Sequence, residues 1–217
     1  MKKIYIVSTP IGNLEDITIR ALDILKKVDV IVCENPKHHL KLLNHYGIRG
    51  KRLIKITSAN EANSVNGILK LIEDGKEVAI VSDAGTPGLS DPGSILVREL
   101  TKRGVKCIPI PGPSALTSAI SVSPIPMSKF IFYGFIPKSQ KKVEKVVQDL
   151  SKYGFPVIFF IPPERVKTFV NVVCSKYPHS EIVLFREITK LNEEVIYGNP
   201  CNLEFEDKGE FVVVVKF

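Results

Sequence analysis

A chain of 217 residues, 44% of them hydrophobic and 24% charged, can bury the core of one large or two small α/β domains, and it contains no apolar run near the ~20 residues of a membrane span. Its net charge of +7 favours polyanionic partners without requiring one, because no run of about five like charges occurs. Cys33, Cys107, Cys174 and Cys201 are scattered beside apolar segments with no Cys-x-x-Cys pair, which predicts reduced, mostly buried thiols in a cytoplasmic protein.

The opening Met1-Lys2-Lys3-Ile4-Tyr5-Ile6-Val7-Ser8 is too short in its apolar part for a signal peptide and predicts a first strand over Ile4–Val7. Asp16 is placed to cap a helix whose Ala21, Leu22, Leu25 and Val28 fall at helical spacing. Val30–Cys33 is the next predicted strand, and a helical pattern near His38–Tyr46 stops at Gly47. Ser58-Ala59-Asn60-Glu61 has the form of a capping box ahead of a helix ending near Gly75. Glu77–Val81 predicts a short strand buried on both faces. Beyond the turn-rich residues 82–93, Asp91 as cap and Pro92 at the first helical position open a helix to about Arg103, and Val105–Ile110 is a further strand. This alternation predicts a mostly parallel sheet with crossover helices over residues 1–113.

Ser114 stands near the start of the next helix, and Pro124-Ile125-Pro126 breaks the chain, a place where a boundary can fall. Residues 114–217 predict strand 130–134, helix 138–152, strand 156–160, helix 163–174 and strand 181–185, then strands near Glu194–Tyr197 and Phe211–Phe217. No helix long enough for a crossover separates the last pieces, so this second domain is expected to carry a mixed sheet.

Three Gly- and Pro-rich loops, 8–15, 82–93 and 110–114, follow three predicted strands. Strands of one parallel sheet end on one edge, where ligands of α/β proteins bind. Any one loop is explained by turn chemistry; three converging loops point to a small-molecule site. Gly85, Gly88 and Gly93 permit positive φ and close backbone approach, with Asp83 and Thr86 at the edge. Neither Gly-x-x-x-x-Gly-Lys nor Gly-x-Gly-x-x-Gly occurs, so the ligand is not expected to be held by phosphates.

Ser8-Thr9-Pro10-Ile11-Gly12-Asn13-Leu14-Glu15-Asp16-Ile17-Thr18, Ser82-Asp83-Ala84-Gly85-Thr86-Pro87, Ser90-Asp91-Pro92-Gly93 and Pro111-Gly112-Pro113-Ser114-Ala115 together closely resemble the tetrapyrrole methylase-like (class III) S-adenosylmethionine methyltransferases. Within that family they are similar to the ribosomal small-subunit branch, which 2′-O-methylates a cytidine of 16S rRNA. The resemblance continues through Phe132-Tyr133-Gly134-Phe135-Ile136-Pro137 and Arg186-Glu187-Ile188-Thr189-Lys190-Leu191-Asn192-Glu193-Glu194. It implies two α/β domains with S-adenosyl-L-methionine in the cleft between them, a homodimer, and rRNA within the 30S subunit rather than DNA as partner. It further implies cofactor contacts from Ile11, Gly12, Asp83, Gly85, Thr86, Ser114 and Ala115, with looser correspondence at Phe160, Ile161 and the Gly209–Phe211 strand start.

A ribose hydroxyl is a poor nucleophile while protonated. Glu34, just past the second strand, is the candidate base, and Lys37 could steer a phosphate or lower the hydroxyl pKa; alternatively both are surface residues at a helix start. Here the branch typically reads Glu-Asp-Thr-Arg, whereas this chain has Glu34-Asn35-Pro36-Lys37. Phe160-Ile161-Pro162-Pro163-Glu164-Arg165 stands where Tyr-Glu-Ser-Pro-His-Arg is typical, and the usual C-terminal extension does not follow Phe217. Basic residues gather at Lys37, Lys41, Arg49, Lys51, Arg52 and Lys55 and at Lys138, Lys141, Lys142 and Lys145, as solvated helix faces or as a nucleic-acid surface. His38, His39 and His45 lack further ligands at metal spacing and are expected in solvent or facing RNA. Phe130, Phe132 and Phe135 suit core or dimer interface better than base stacking. Two other functions remain open: methylation of a small molecule such as a corrin precursor, and cofactor binding without turnover, the latter motivated by Asn35 and Pro36.

Overall fold

Apolar runs too short to stand alone assemble the first half into one parallel sheet. The computed structural model describes residues 2–217, so Met1, at the head of the predicted first strand, lies outside it. Strands β1 (Lys3–Val7), β2 (Val30–Cys33), β3 (Arg52–Lys55), β4 (Val78–Val81) and β5 (Lys106–Ile110) lie in the order β3-β2-β4-β1-β5, every pair parallel. Each residue of β2 and β4 is buried. Alternate side chains feed opposite faces: Ile31, Cys33, Ala79 and Val81 join one cluster, Val30, Val32, Val78 and Ile80 the other. Helices α1 (Ile19–Lys27) and α2 (Pro36–His45) cover the first face through Ala21, Leu25, Leu42 and Leu43. Helices α3 (Glu61–Glu73) and α4 (Ser94–Lys102) cover the second through Val65, Ile68, Leu96 and Leu100. Burying each of these leucine, isoleucine and valine side chains contributes about 1.5–3 kcal/mol.

The chain divides into units Met1–Ser114 and Ala115–Phe217, so Pro124–Pro126 lies inside the second unit. That unit contains α5 (Ala115–Ser121), β6 (Ile131–Phe135), α6 (Gln140–Ser151), β7 (Val157–Ile161), α7 (Pro163–Lys176), β8 (Glu181–Arg186), β9 (Glu194–Gly198) and β10 (Phe211–Lys216). Its sheet order is β6-β7-β10-β8-β9; only β6 and β7 run parallel, which is the expected mixed sheet. The valine-rich β10 lies in the middle, one face packed under α6 and α7, the other against Ala119, Ile125 and Phe185.

Four local expectations are corrected. Strand β3 goes unpredicted because its apolar part is only the half-buried Leu53 and Ile54 between two exposed basic residues at a sheet edge. Asp16 ends a 3-10 turn capped by Asn13, and Thr18 caps α1 by accepting from the Ala21 N–H. Glu61 leaves the Ser58–Glu61 capping box unformed: Asn60 makes no cap bond to α3 and accepts instead from the Thr57 N–H at 2.7 Å. Cys174 and Cys201 are joined as a disulfide, which overturns the expectation of four reduced thiols; Cys33 is buried and Cys107 part-buried.

Candidate functional site

At the carboxyl ends of β4, β1 and β5, neighbours in one sheet, the three Gly/Pro loops are laced together. Thr9 and Gly85 exchange backbone hydrogen bonds of 2.9 Å in both directions. The Thr9 hydroxyl donates to the Ser82 carbonyl at 2.8 Å, and the Ser82 hydroxyl to the Gly85 carbonyl at 2.8 Å. Thr86 Oγ1 donates to the Pro113 carbonyl at 3.3 Å, so Ser8 Oγ, 3.0 Å away, is the donor to Thr86. Gly85 sits at the junction with φ +80°. A Cβ there would lie 3.2 Å from Ile11 Cγ2, 3.7 Å from the Pro113 carbonyl oxygen and 3.8 Å from Ser114 Cα. All three loops therefore meet around one residue that only glycine fills without strain.

Asp83 stands beside this junction with its carboxylate about one-third exposed. Its Oδ1 accepts from the Asn35 backbone N–H at 3.0 Å and from His39 Nε2 at 3.2 Å. Burial holds the His39 imidazole down at about 4, against the pull of Asp83, so the ring is neutral and the contact is a hydrogen bond donated by Nε2–H. His39 is buried, not in solvent or facing RNA. It supports Asp83 while Oδ2 stays outside both bonds.

Asp91 does not cap α4. Gly93, at φ +133°, occupies the cap position, and the orphan N–H groups of Gly93 and Leu96 both donate to Glu61 Oε1 at 2.9 Å. Glu61 is 2% exposed, so a buried carboxylate from α3 anchors the start of α4 and the end of loop 82–93. Asp91, freed from capping, is pushed up to about 6 by burial and then by the charges of Glu34 and Asp83. Three carboxyls thus gather past the ends of the adjacent strands β2 and β4. Cys33 behind them is pushed up to about 12, chiefly by burial, and is no nucleophile.

The substitutions at 35 and 36 are absorbed by the helix start. Asn35 Oδ1 accepts from the His38 N–H as N-cap, and Pro36 takes the first helical position, where no N–H is needed. Lys37 is exposed on the first turn of α2 and Glu34 is half-buried; no contact joins them.

In the second unit, Ala115 is the first residue of α5. Ile161 ends β7 opposite Phe211, so Gly209 lies near the same sheet end. Gly209 has φ +90°, and a Cβ there would come within 2.6 Å of Glu187. Glu187 and Thr189 both adopt left-handed backbone, and Lys190 pairs with Glu187 and Glu210 at 2.9 Å. Arg186 is gripped by the Lys208 carbonyl, Glu194 and Glu206. Of the predicted aromatics, Phe132 and Phe135 both pack edge-on to Phe160, while Phe130 and Phe135 remain exposed at the edge strand. Among the described residues no group of His, Cys, Asp and Glu could hold a metal ion.

The sequence profile of the Tetrapyrrole (Corrin/Porphyrin) Methylases matches residues 3–201. The chain belongs to the tetrapyrrole methylase family. A relative from Thermotoga maritima, Ribosomal RNA small subunit methyltransferase I, is 43% identical over 220 residues, 99% of this chain and 98% of the relative. One of the same name from Coprothermobacter proteolyticus is 42% identical over 213 residues, 98% of this chain and 96% of the relative. The match runs over nearly the whole length of both relatives of this tetrapyrrole methylase. The solved structure of a diphthine synthase superposes with a TM-score of 0.78 at 18% identity, covering 98% of this chain and 89% of that one, which shows the shared fold.

This tetrapyrrole methylase is an S-adenosylmethionine-dependent methyltransferase. The first unit fits that cofactor on chemical grounds. Asp83 offers a carboxylate oxygen to an ammonium or ribose hydroxyl, Ile11 an apolar wall, and Gly12 an exposed backbone.

Proposed function

We propose that this methyltransferase acts on the ribose 2′-oxygen of a cytidine in 16S rRNA, within the 30S subunit, as a cytoplasmic homodimer. What carries the reading is the 43% and 42% identity, across nearly the whole chain, to two relatives named for small-subunit ribosomal RNA. A net charge of +7 suits that polyanion. No helix among the described residues is long and apolar enough to cross a membrane.

Bound S-adenosylmethionine supplies a methyl group on a sulfonium that is already a good leaving group. The protein's task is alignment, which can supply about 7–11 kcal/mol. In this reading Asp83, oriented by Asn35 and His39, holds the methionine ammonium or the cofactor ribose, with Ile11, Gly12, Gly85, Thr86, Ser114 and Ala115 shaping the pocket. Ile161 and Gly209 are proposed as contacts from the second unit. Glu34 is the proposed proton acceptor for the ribose hydroxyl, and Lys37 the cation that steers an adjoining phosphate. Asn35 and Pro36 cap and open α2, which gives both a structural role at the helix start.

Mass-spectrometric mapping of 16S rRNA ribose methylation with and without the gene tests this. The proposal expects one cytidine to lose its 2′-O-methyl group; an unchanged map overturns it.

A further inference from the structure

A row of basic side chains runs beside the carboxyl cluster without acidic partners. On α2, Lys37 and Lys41 lie one turn apart on the face opposite the buried His39, Leu42 and Leu43, and both are exposed. On β3, Leu53 packs into the cluster that holds Leu42 and Leu43, while Ile54 packs on the other face. Lys55, two residues after Leu53, therefore shares the α2 side of the sheet and is exposed at the strand's carboxyl end, opposite Cys33 on β2. Among the described residues, none of Lys37, Lys41 and Lys55 makes an ion pair, and the same holds for Lys141 and Lys145 on α6; what sets the first three apart is their place at the carboxyl end of the sheet, beside Glu34. Unpaired like charges grouped on one rim are unfavourable unless an anion comes to them.

We infer that Lys41 and Lys55, with Lys37, form the rim that receives the phosphates flanking the target nucleotide, so that single-stranded RNA enters over α2 and the β3 edge. This rests on the rRNA reading above. The geometry suits it: the rim adjoins Glu34, the proposed proton acceptor, and an edge strand leaves its outer side open.

The test measures binding of the full-length protein to a 16S rRNA fragment containing the methylated site, as a function of salt, by fluorescence anisotropy. Lys41→Gln with Lys55→Gln should weaken binding about ten-fold or more near 0.1 M salt and make the log–log salt slope shallower by about 1.4, two phosphates at about 0.7 each. Calorimetric affinity for S-adenosylmethionine should stay as in the wild type. Lys141→Gln with Lys145→Gln removes the same charge from α6 and should leave the slope unchanged. A wild-type slope in the first variant, or an equal loss in the second, overturns the rim. If the wild type binds and methylates RNA while the first variant does so equally well, only the rim falls; if the wild type does neither, the rRNA reading falls with it.

Discussion

Asp83 is the residue on which the proposed cofactor site depends most. Its position was legible because a carboxylate in a Gly/Pro loop after a buried strand has few structural reasons to be there. Its support was not: His39 sits among polar neighbours on α2, and only the packed helix shows that its ring is buried against Asp83. Asp83→Ala should abolish S-adenosylmethionine binding in calorimetry, and a wild-type affinity would put the pocket elsewhere. Asp91 yields a pH signature. The unfolded chain releases this proton near 3.8 and the folded chain near about 6, so between those values the folded state holds more protons and loses stability as pH rises. His39 acts in the opposite sense, holding fewer protons when folded between about 4 and 6.5, so its contribution grows with pH. In Asp91→Asn only the second effect survives. Its melting temperature relative to wild type should therefore climb from pH 4 to about pH 6, and a constant offset would contradict the raised carboxyl.

Among the elements, the regular βα alternation and mixed second sheet were readable from apolar periodicity, as was the start of α7 at Pro163, while the starts of α1, α3 and α4 were not. Asp16, Glu61 and Asp91 all look like cap-region acids, yet Thr18 and Gly93 hold the cap positions of α1 and α4. A clue lay in the stripe Glu61, Val65, Ile68 and Ile72, which places the carboxylate on the buried face of α3. Glu61→Ala leaves the Gly93 and Leu96 N–H groups without an acceptor and should cost about 2–3 kcal/mol in urea unfolding. It should also weaken cofactor binding, because the end of loop 82–93 loses its anchor. Glu61→Gln keeps an acceptor and should do less of both; equal effects from Ala and Gln would deny the hydrogen bonds their role. The Cys174–Cys201 link was invisible because its partners are 27 residues apart with no motif. In the oxidised protein, Cys201→Ser should lower stability by roughly 3–4 kcal/mol, the loop-closure value for that span. Identical unfolding curves would deny the bond.

At the scale of the molecule, each unit contributes differently to what could be read. The loops of the first unit point to a ligand through composition and position together, because three Gly/Pro-rich turns follow strands that end on one edge of the sheet. The polar corner of the second unit, built on Arg186, Glu187, Lys190 and Gly209, depends on left-handed residues and long-range ion pairs that no local pattern reveals. Charge is similarly incomplete as a guide: a net +7 favours RNA, but only the fold separates paired lysines from those left open. The claim that joins these levels is methyl transfer to a ribose of small-subunit rRNA. Purified protein, S-adenosylmethionine labelled in the methyl group and unmethylated 30S subunits should give label in a single cytidine of 16S rRNA, at a ribose whose 3′ phosphodiester resists alkaline cleavage. Label on a base, on a small molecule alone, or nowhere would contradict it.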